Sequence, residues 1–242
     1  MNRRQNFKDC YMTWTILAVL FLVFLLETGL GGSKNTTVLI ELGAMNKKVI
    51  LEAGQWWRLF TAQFLHIGIM HLISNVVMIY YLGTYLEQIL GHWRFLLIYL
   101  LAGVGGNLLS LAFGDVNLLG LALGDNNVIV SAGASTALFG LMGAMTAIGL
   151  RNHDNAAIVY LGKQAFWLAL LNLGFDLFDP NIDLWGHLGG LLTGLLLAII
   201  VGDRRFRQYP FKVRLVAVCI LIIYIVATVH RGLSMALGGG FA

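Results

Sequence analysis

The chain has 242 residues and a mass of 26.6 kDa, with 58% apolar side chains, 12% charged ones and a formal charge of +4 at pH 7. Soluble domains are about 45–50% apolar with glycine counted and tyrosine left out, and about 25% charged; by the same count this chain reaches about two-thirds. A chain of this size cannot hide that much apolar surface within itself, which excludes an ordinary cytosolic domain and a disordered segment and requires a membrane.

A transmembrane helix takes about 20 apolar residues. Seven runs qualify, at 12–29, 67–88, 94–113, 128–150, 163–180, 183–202 and 212–230. The predicted fold is therefore all-α, a single polytopic membrane helix bundle over 1–242. The first run follows Arg3, Arg4 and Lys8 as a signal peptide would, but it ends in Glu27-Thr28-Gly29 rather than a small-x-small cleavage site, so it reads as a retained span. Residues 30–58 mix apolar triplets (Val38-Leu39-Ile40, Val49-Ile50-Leu51) with Trp56-Trp57-Arg58, which suits a structured loop at headgroup depth. The fifth run carries Lys163 and Asp176 at its two ends, where such groups reach the interface.

With a cytoplasmic N-terminus, Arg3, Arg4, Lys8, Arg94, Arg151, Lys163, Arg204, Arg205, Arg207, Lys212 and Arg214 fall inside. Only Lys34, Lys47, Lys48, Arg58 and Arg231 fall outside, so the basic residues set an orientation with the C-terminus external. They sit in short linkers between spans, which argues against nucleic acid as a partner. The acids Glu27, Glu41, Glu52, Asp115, Asp125, Asp176, Asp179 and Asp183 lie at the outer side, and Asp176, Asp179 and Asp183 read as a solvated outer loop. Cys10 and Cys219 form neither a zinc pattern nor a disulfide framework.

Polar residues inside spans carry the chemistry, because each is costly in hydrocarbon. His71 and Asn75 are four apart and share one face of the second span, with His66 just before them. Ser135 opens the fourth span after Gly133, and His187 lies near the start of the sixth. In an alternating bundle these three spans run in the same direction, so the four groups share one depth. A serine with a base in hydrogen-bond reach is a nucleophile pair. Asn75, His71 and the N–H of Ser135 can act as donors to an oxyanion, assisted by the helix N-terminus. Gly133, Ala137, Gly140 and Ala144 on the fourth span, and Gly186, Gly190 and Gly194 on the sixth, form small-residue faces for close packing.

Other intramembrane chemistries fit less well. No His-Glu-x-x-His occurs, and the five-residue step from His66 to His71 places them off a common face for zinc. The Gly-Asp pairs at Asp115 and Asp125 lack the preceding glycine of an aspartyl protease and fall in a loop. A transporter would show broken helices in matching halves. No metal and no cofactor is expected.

On these motifs the sequence resembles the rhomboid intramembrane serine proteases. Trp57-Arg58, then His66, His71 and Asn75, then Glu87 and Gly91, Gly105-Gly106-Asn107 with Ser110, Gly133-Ala134-Ser135, and Gly186-His187 with Gly190 and Gly194 occur in the family's order. The resemblance runs from Trp57 to the end of the sixth span and implies a catalytic core at 57–202, with 212–230 as one extra C-terminal helix after a six-helix core. It implies a Ser135–His187 dyad without a third carboxylate, with His71 and Asn75 as oxyanion donors. His66, Arg58, Gly133 and Gly190 would be structural, Glu87 would tie the second helix to its neighbours, and Phe139 would stack beneath the imidazole. The family usually has glycine at the position of Thr136. The implied activity is cleavage of transmembrane protein substrates in a bacterial cell membrane, with lateral entry at the fifth span near Phe166 and Trp167, beneath the loop around Asp179. A relative that binds transmembrane segments without cutting them would lack the serine or the histidine; both are present.

Overall fold

The computed structural model describes residues 9–115, 130–179, 181–202 and 208–238. In chain order these residues form α1 (Tyr11–Gly29), α2 (Thr36–Glu41), β1 (Met45–Asn46), α3 (Lys47–Glu52), α4 (Arg58–Thr61), a 3-10 turn (Ala62–Phe64), α5 (Ile69–Leu90), α6 (His92–Phe113), β2 (Val130–Ser131), α7 (Ser135–Arg151), α8 (Ala156–Asp176), α9 (Leu184–Val201) and α10 (Phe211–Gly238). Six of them, α1, α5, α6, α8, α9 and the 211–234 part of α10, are long and apolar enough to cross a membrane. At 17 residues α7 is shorter, and every residue from Thr136 to Gly149 is buried. It is the axis around which the others assemble.

Glycine makes that assembly close. A Cβ on Gly194 of α9 would overlap the backbone of Gly140 on α7, and one on Gly143 would meet the Leu191 carbonyl. A Cβ on Gly140 would strike Ala102 of α6, while Gly149 of α7 and Gly162 of α8 touch backbone to backbone. Lipid tails supply no hydrophobic force between helices, so van der Waals contact at this range is what binds them. Side chains such as Leu22, Met70, Trp93, Leu171, Phe178 and Ile223 point outward, as a bilayer-facing surface requires.

Two of the seven predicted spans start seven residues from where the observed helices do, and the seventh helix of the set, α10, runs on to Gly238, past the predicted end at 230. The fourth begins at Ser135, seven residues later than expected, because Val130–Ser131 instead pairs antiparallel with Met45–Asn46. Residues 128 and 129 lie outside the described residues. The fifth begins at Ala156, capped by the Asn155 side chain accepting from the Ile158 N–H, and ends at Asp176. Lys163 is thus inside α8 on its exposed face, where its stem can run along the helix and carry the ammonium to the interface.

The first helix is tied into the bundle at the end opposite β1. Glu87 near the end of α5 accepts from the Met12 and Thr13 N–H groups (3.0 and 2.8 Å) and from the Thr13 hydroxyl (2.7 Å), and it also contacts His92. A carboxylate placed there satisfies N–H groups that the first turn of α1 cannot pair within itself. The chain then reverses sharply at Gly91, whose φ of +81° suits glycine. α10 lies on the outside of α6 and α9. Its Tyr224 hydroxyl donates to the Gly105 carbonyl at 2.6 Å, and Arg231 donates to the Ala112 carbonyl at 3.0 Å with its guanidinium 4.3 Å over the Phe113 ring.

The segment 30–58 is ordered as expected of an interfacial loop. Arg58 is buried and organises it: Nη1 donates to the carbonyls of Ile40 (2.5 Å) and Ala44 (3.0 Å), and Nε donates to Gln55 (2.8 Å). Its guanidinium lies 4.7 Å from the centre of the exposed Trp57 ring.

Candidate functional site

At the end of the bundle that carries β1 and β2, the N-terminal ends of α5, α7 and α9 converge on a cavity of about 950 Å³. His71, Asn75, Ser135 and His187 all line it. The helix starts explain the convergence. Asp183 caps α9 by accepting from the Gly186 N–H at 2.8 Å, and its other oxygen accepts from the Ser131 hydroxyl at 2.8 Å, which ties β2 to α9. The Gly133 N–H donates to the Ala62 carbonyl at 3.0 Å, bringing the chain into α7 alongside the turn before α5. A Cβ on Gly133 would stand 2.6 Å from His71 Cε1, so glycine there lets the histidine approach the α7 start.

Ser135 is the first residue of α7, and its hydroxyl oxygen lies 2.8 Å from His187 Nε2. The His187 ring stacks on Phe139, with centroids 4.2 Å apart and planes inclined by 15°. On its far side, His187 Nδ1 lies 2.6 Å from Asp176 Oδ2. Each ring nitrogen of His187 thus has an oxygen partner, and with the proton on Nδ1 the Nε2 lone pair faces the Ser135 hydroxyl.

Asn75 is 4% exposed, and its amide nitrogen has no hydrogen-bond partner among the described residues. It faces the cavity with unspent donors. His66 lies fully buried before α5, edge-on to His71 at 5.3 Å between centroids. Burial, reinforced by His71, pushes its imidazole down to about 3, so it stands neutral. Its N–H on the backbone donates to Glu27 at 3.0 Å.

Thr136 turns away from the cavity. It is buried against Gly106 of α6, where its methyl occupies the space a side chain on Gly106 would need. Its backbone carbonyl faces Gly190 just as closely. The extra bulk relative to glycine is therefore absorbed between helices.

The Rhomboid domain family matches residues 53–204, most of the chain. The chain is a rhomboid. The Rhomboid protease GluP of Bacillus subtilis is 36% identical over 229 residues, covering 95% of this chain and 42% of its own length. The mitochondrial RHOMBOID-like protein 6 of Arabidopsis thaliana is 39% identical over 177 residues, 71% of this chain and 52% of its own. The putative rhomboid protease YdcA of Bacillus subtilis is 31% identical over 160 residues, 64% of this chain and 72% of its own. This rhomboid spans about half the length of the first two relatives.

Asp176 and Asp183 depart from the sequence reading. Asp176 is not in a solvated loop: it is the last residue of α8, 7% exposed, and bonded to His187, so the histidine does have a carboxylate neighbour. Asp183 is a half-buried helix cap, and Glu27 is fully buried beneath His66; of the outer triplet only Asp179 is exposed. A charged side chain at a span end is ambiguous in sequence, because whether it faces lipid, water or a neighbouring helix depends on rotation about the helix axis. Eleven residues separate Asp176 from His187, across a turn between two helices, and no local periodicity links them. Phe166 and Trp167 both face outward on α8, whereas Leu168 lines the cavity. Among the described residues no group of three or more His, Cys, Asp or Glu side chains could hold a metal ion.

Proposed function

We propose that this rhomboid is an intramembrane serine endopeptidase that cleaves peptide bonds in or near transmembrane segments of membrane proteins. The observation that carries the reading is the 2.8 Å contact between Ser135 Oγ and His187 Nε2 at the start of α7, on the wall of a cavity of about 950 Å³. Ser135 attacks the scissile carbonyl while its proton passes to His187 Nε2. The imidazolium then gives that proton to the leaving amine, and an acyl-ester remains on Ser135 until water, activated by the same histidine, releases it. The Asn75 amide, His71 and the Ser135 N–H donate to the developing oxyanion. The first-turn N–H groups of α7 have no carbonyl one turn earlier to occupy them, so they support the same charge.

The substrate helix enters beside α8, below the exposed loop around Asp179. The protein lies in the cell membrane with its N-terminus cytoplasmic and its C-terminus outside, an orientation supported by the basic residues of the connecting segments. The names of the GluP and YdcA relatives support the protease reading as well.

Fluorophosphonate labelling of the purified protein tests the proposal without a known substrate. Wild type labels, and Ser135→Ala and His187→Ala do not. A folded wild type that neither labels nor cleaves, beside an active rhomboid control, overturns it and leaves a protein that binds transmembrane segments without cutting them.

A further inference from the structure

The resemblance to the family implies a two-residue catalytic pair, and the contacts of His187 go beyond it. Stacking on Phe139 fixes the plane of the imidazole but not its flip. A half-turn of the ring about its own axis keeps the stack and exchanges Nδ1 with a carbon. Stacking also leaves open which nitrogen carries the proton. A fixed acceptor beside Nδ1 removes both freedoms, and Asp176 supplies one at 2.6 Å.

The surroundings fit that role. The Asp176 side chain is 6% exposed and that of His187 9%. A carboxylate at that depth is costly unless paired and hydrogen-bonded. Among the described residues its ion-pair contact is His187, and no lysine or arginine competes for it. Asp176 ends α8, Ser135 begins α7 and His187 lies in the first turn of α9, so the array joins three successive helices at one end of the bundle.

We propose that Asp176 is the positioning residue for His187: its carboxylate accepts the Nδ1–H and turns the Nε2 lone pair toward Ser135. When the Ser135 proton moves to Nε2, the imidazolium forms beside the Asp176 carboxylate. The proton goes on to the leaving amine, and Asp176 neither gains nor loses one. The inference rests on the protease reading above.

The test uses the full chain in liposomes. Asp176→Asn and Asp176→Glu are compared with wild type and Ser135→Ala for kcat and KM on a reporter transmembrane substrate, and for the rate of fluorophosphonate labelling. The amide can present an N–H to Nδ1 and favour the wrong tautomer. Asp176→Asn is therefore expected to lower kcat and the labelling rate at least about 100-fold with KM within about threefold, and Asp176→Glu to recover at least about tenfold of that loss. A folded Asp176→Asn with kcat near or above that of wild type overturns the inference, and an increase would mark the contact as a latch on α8. That outcome beside a dead Ser135→Ala leaves the protease reading intact, whereas an active Ser135→Ala sinks both.

A second measurement needs no change at Asp176. In 15N-histidine NMR of the wild type at alkaline pH, the His187 signal, assigned by its loss in His187→Gln, is expected to show the proton on Nδ1. A neutral ring protonated on Nε2 overturns the inference even if Asp176→Asn fails to fold.

Discussion

A buried amide donor without a partner is an unfavourable thing to keep in a fold, and among the described residues Asn75 keeps one at the edge of the cavity. Its use is expected to appear in turnover rather than in stability. Loss of an oxyanion donor costs about 100- to 1,000-fold in kcat in other hydrolases. Asn75→Ala is therefore expected to lower kcat by that order while shifting unfolding by less than about 1 kcal/mol, since its amide nitrogen makes no hydrogen bond that would be lost. Steady-state cleavage alongside thermal unfolding in detergent separates the two effects. His66 sits on the other side of the ledger. Burial holds its folded pKa at about 3, against about 6.5 for the exposed side chain. Between those values the unfolded chain binds the extra proton, so stability is intact above about pH 6.5 and falls as the pH drops below it. At pH 5 the loss amounts to about 2 kcal/mol. The drop in Tm from pH 8 to pH 5 is expected to be larger in wild type than in His66→Gln; equal drops would show that His66 is not the acid-sensitive group.

Among the helices that line the cavity, α7 and α8 stand at opposite extremes of burial. α7 is enclosed along nearly its whole length by glycine-mediated contacts with α6, α8 and α9, and it carries the serine. That is the rigid support a nucleophile needs. α8 has only 28% of its best apolar window buried, and its outer half bears Phe166, Trp167, Leu170 and Leu171 on an exposed face. If substrate enters beside α8 as proposed, a helix held on one side by so few buried groups is the element expected to move aside for it. Leu168, half-buried between the cavity and the core, is one of the side chains that hold it there. Leu168→Ala is expected to raise cleavage severalfold with little change in fluorophosphonate labelling, because access for a helix is widened while the nucleophile is untouched. Equal or slower cleavage by a folded variant would count against entry beside α8. Truncating Phe166 or Trp167 removes lipid contact rather than helix packing and is expected to act more weakly.

Taken as one body, the bundle has two differently built ends. One holds the Glu87 cluster that fastens α1 to α5; the other holds the loop organised by Arg58, the β1–β2 pair and the cavity. With the cavity end outside, water reaches it without crossing the bilayer. The orientation is checked by thiol labelling of whole cells with a membrane-impermeant reagent, on a background with Cys10→Ser and Cys219→Ser. Lys34→Cys is expected to label from outside and Lys212→Cys only after permeabilisation. The reverse pattern would place the cavity at the cytoplasmic face.

Membrane residence, the apolar runs and the ordered set of polar groups in α5, α7 and α9 were legible in the sequence, because each rests on composition or on a short-range repeat. Bilayer thickness sets helix length, and polar groups inside a span stand out by their cost. The first turn of α7 was placed seven residues too early because a β pairing with a distant segment, Met45–Asn46, outweighed local apolarity. The sequence points Asp176 toward water for the same kind of reason: a charge at a helix end gives no sign of which neighbour it meets. Only the rotation of α8 about its axis and its approach to α9 turned that carboxylate onto His187, and contacts between helices are set by packing across the whole bundle rather than by any local pattern.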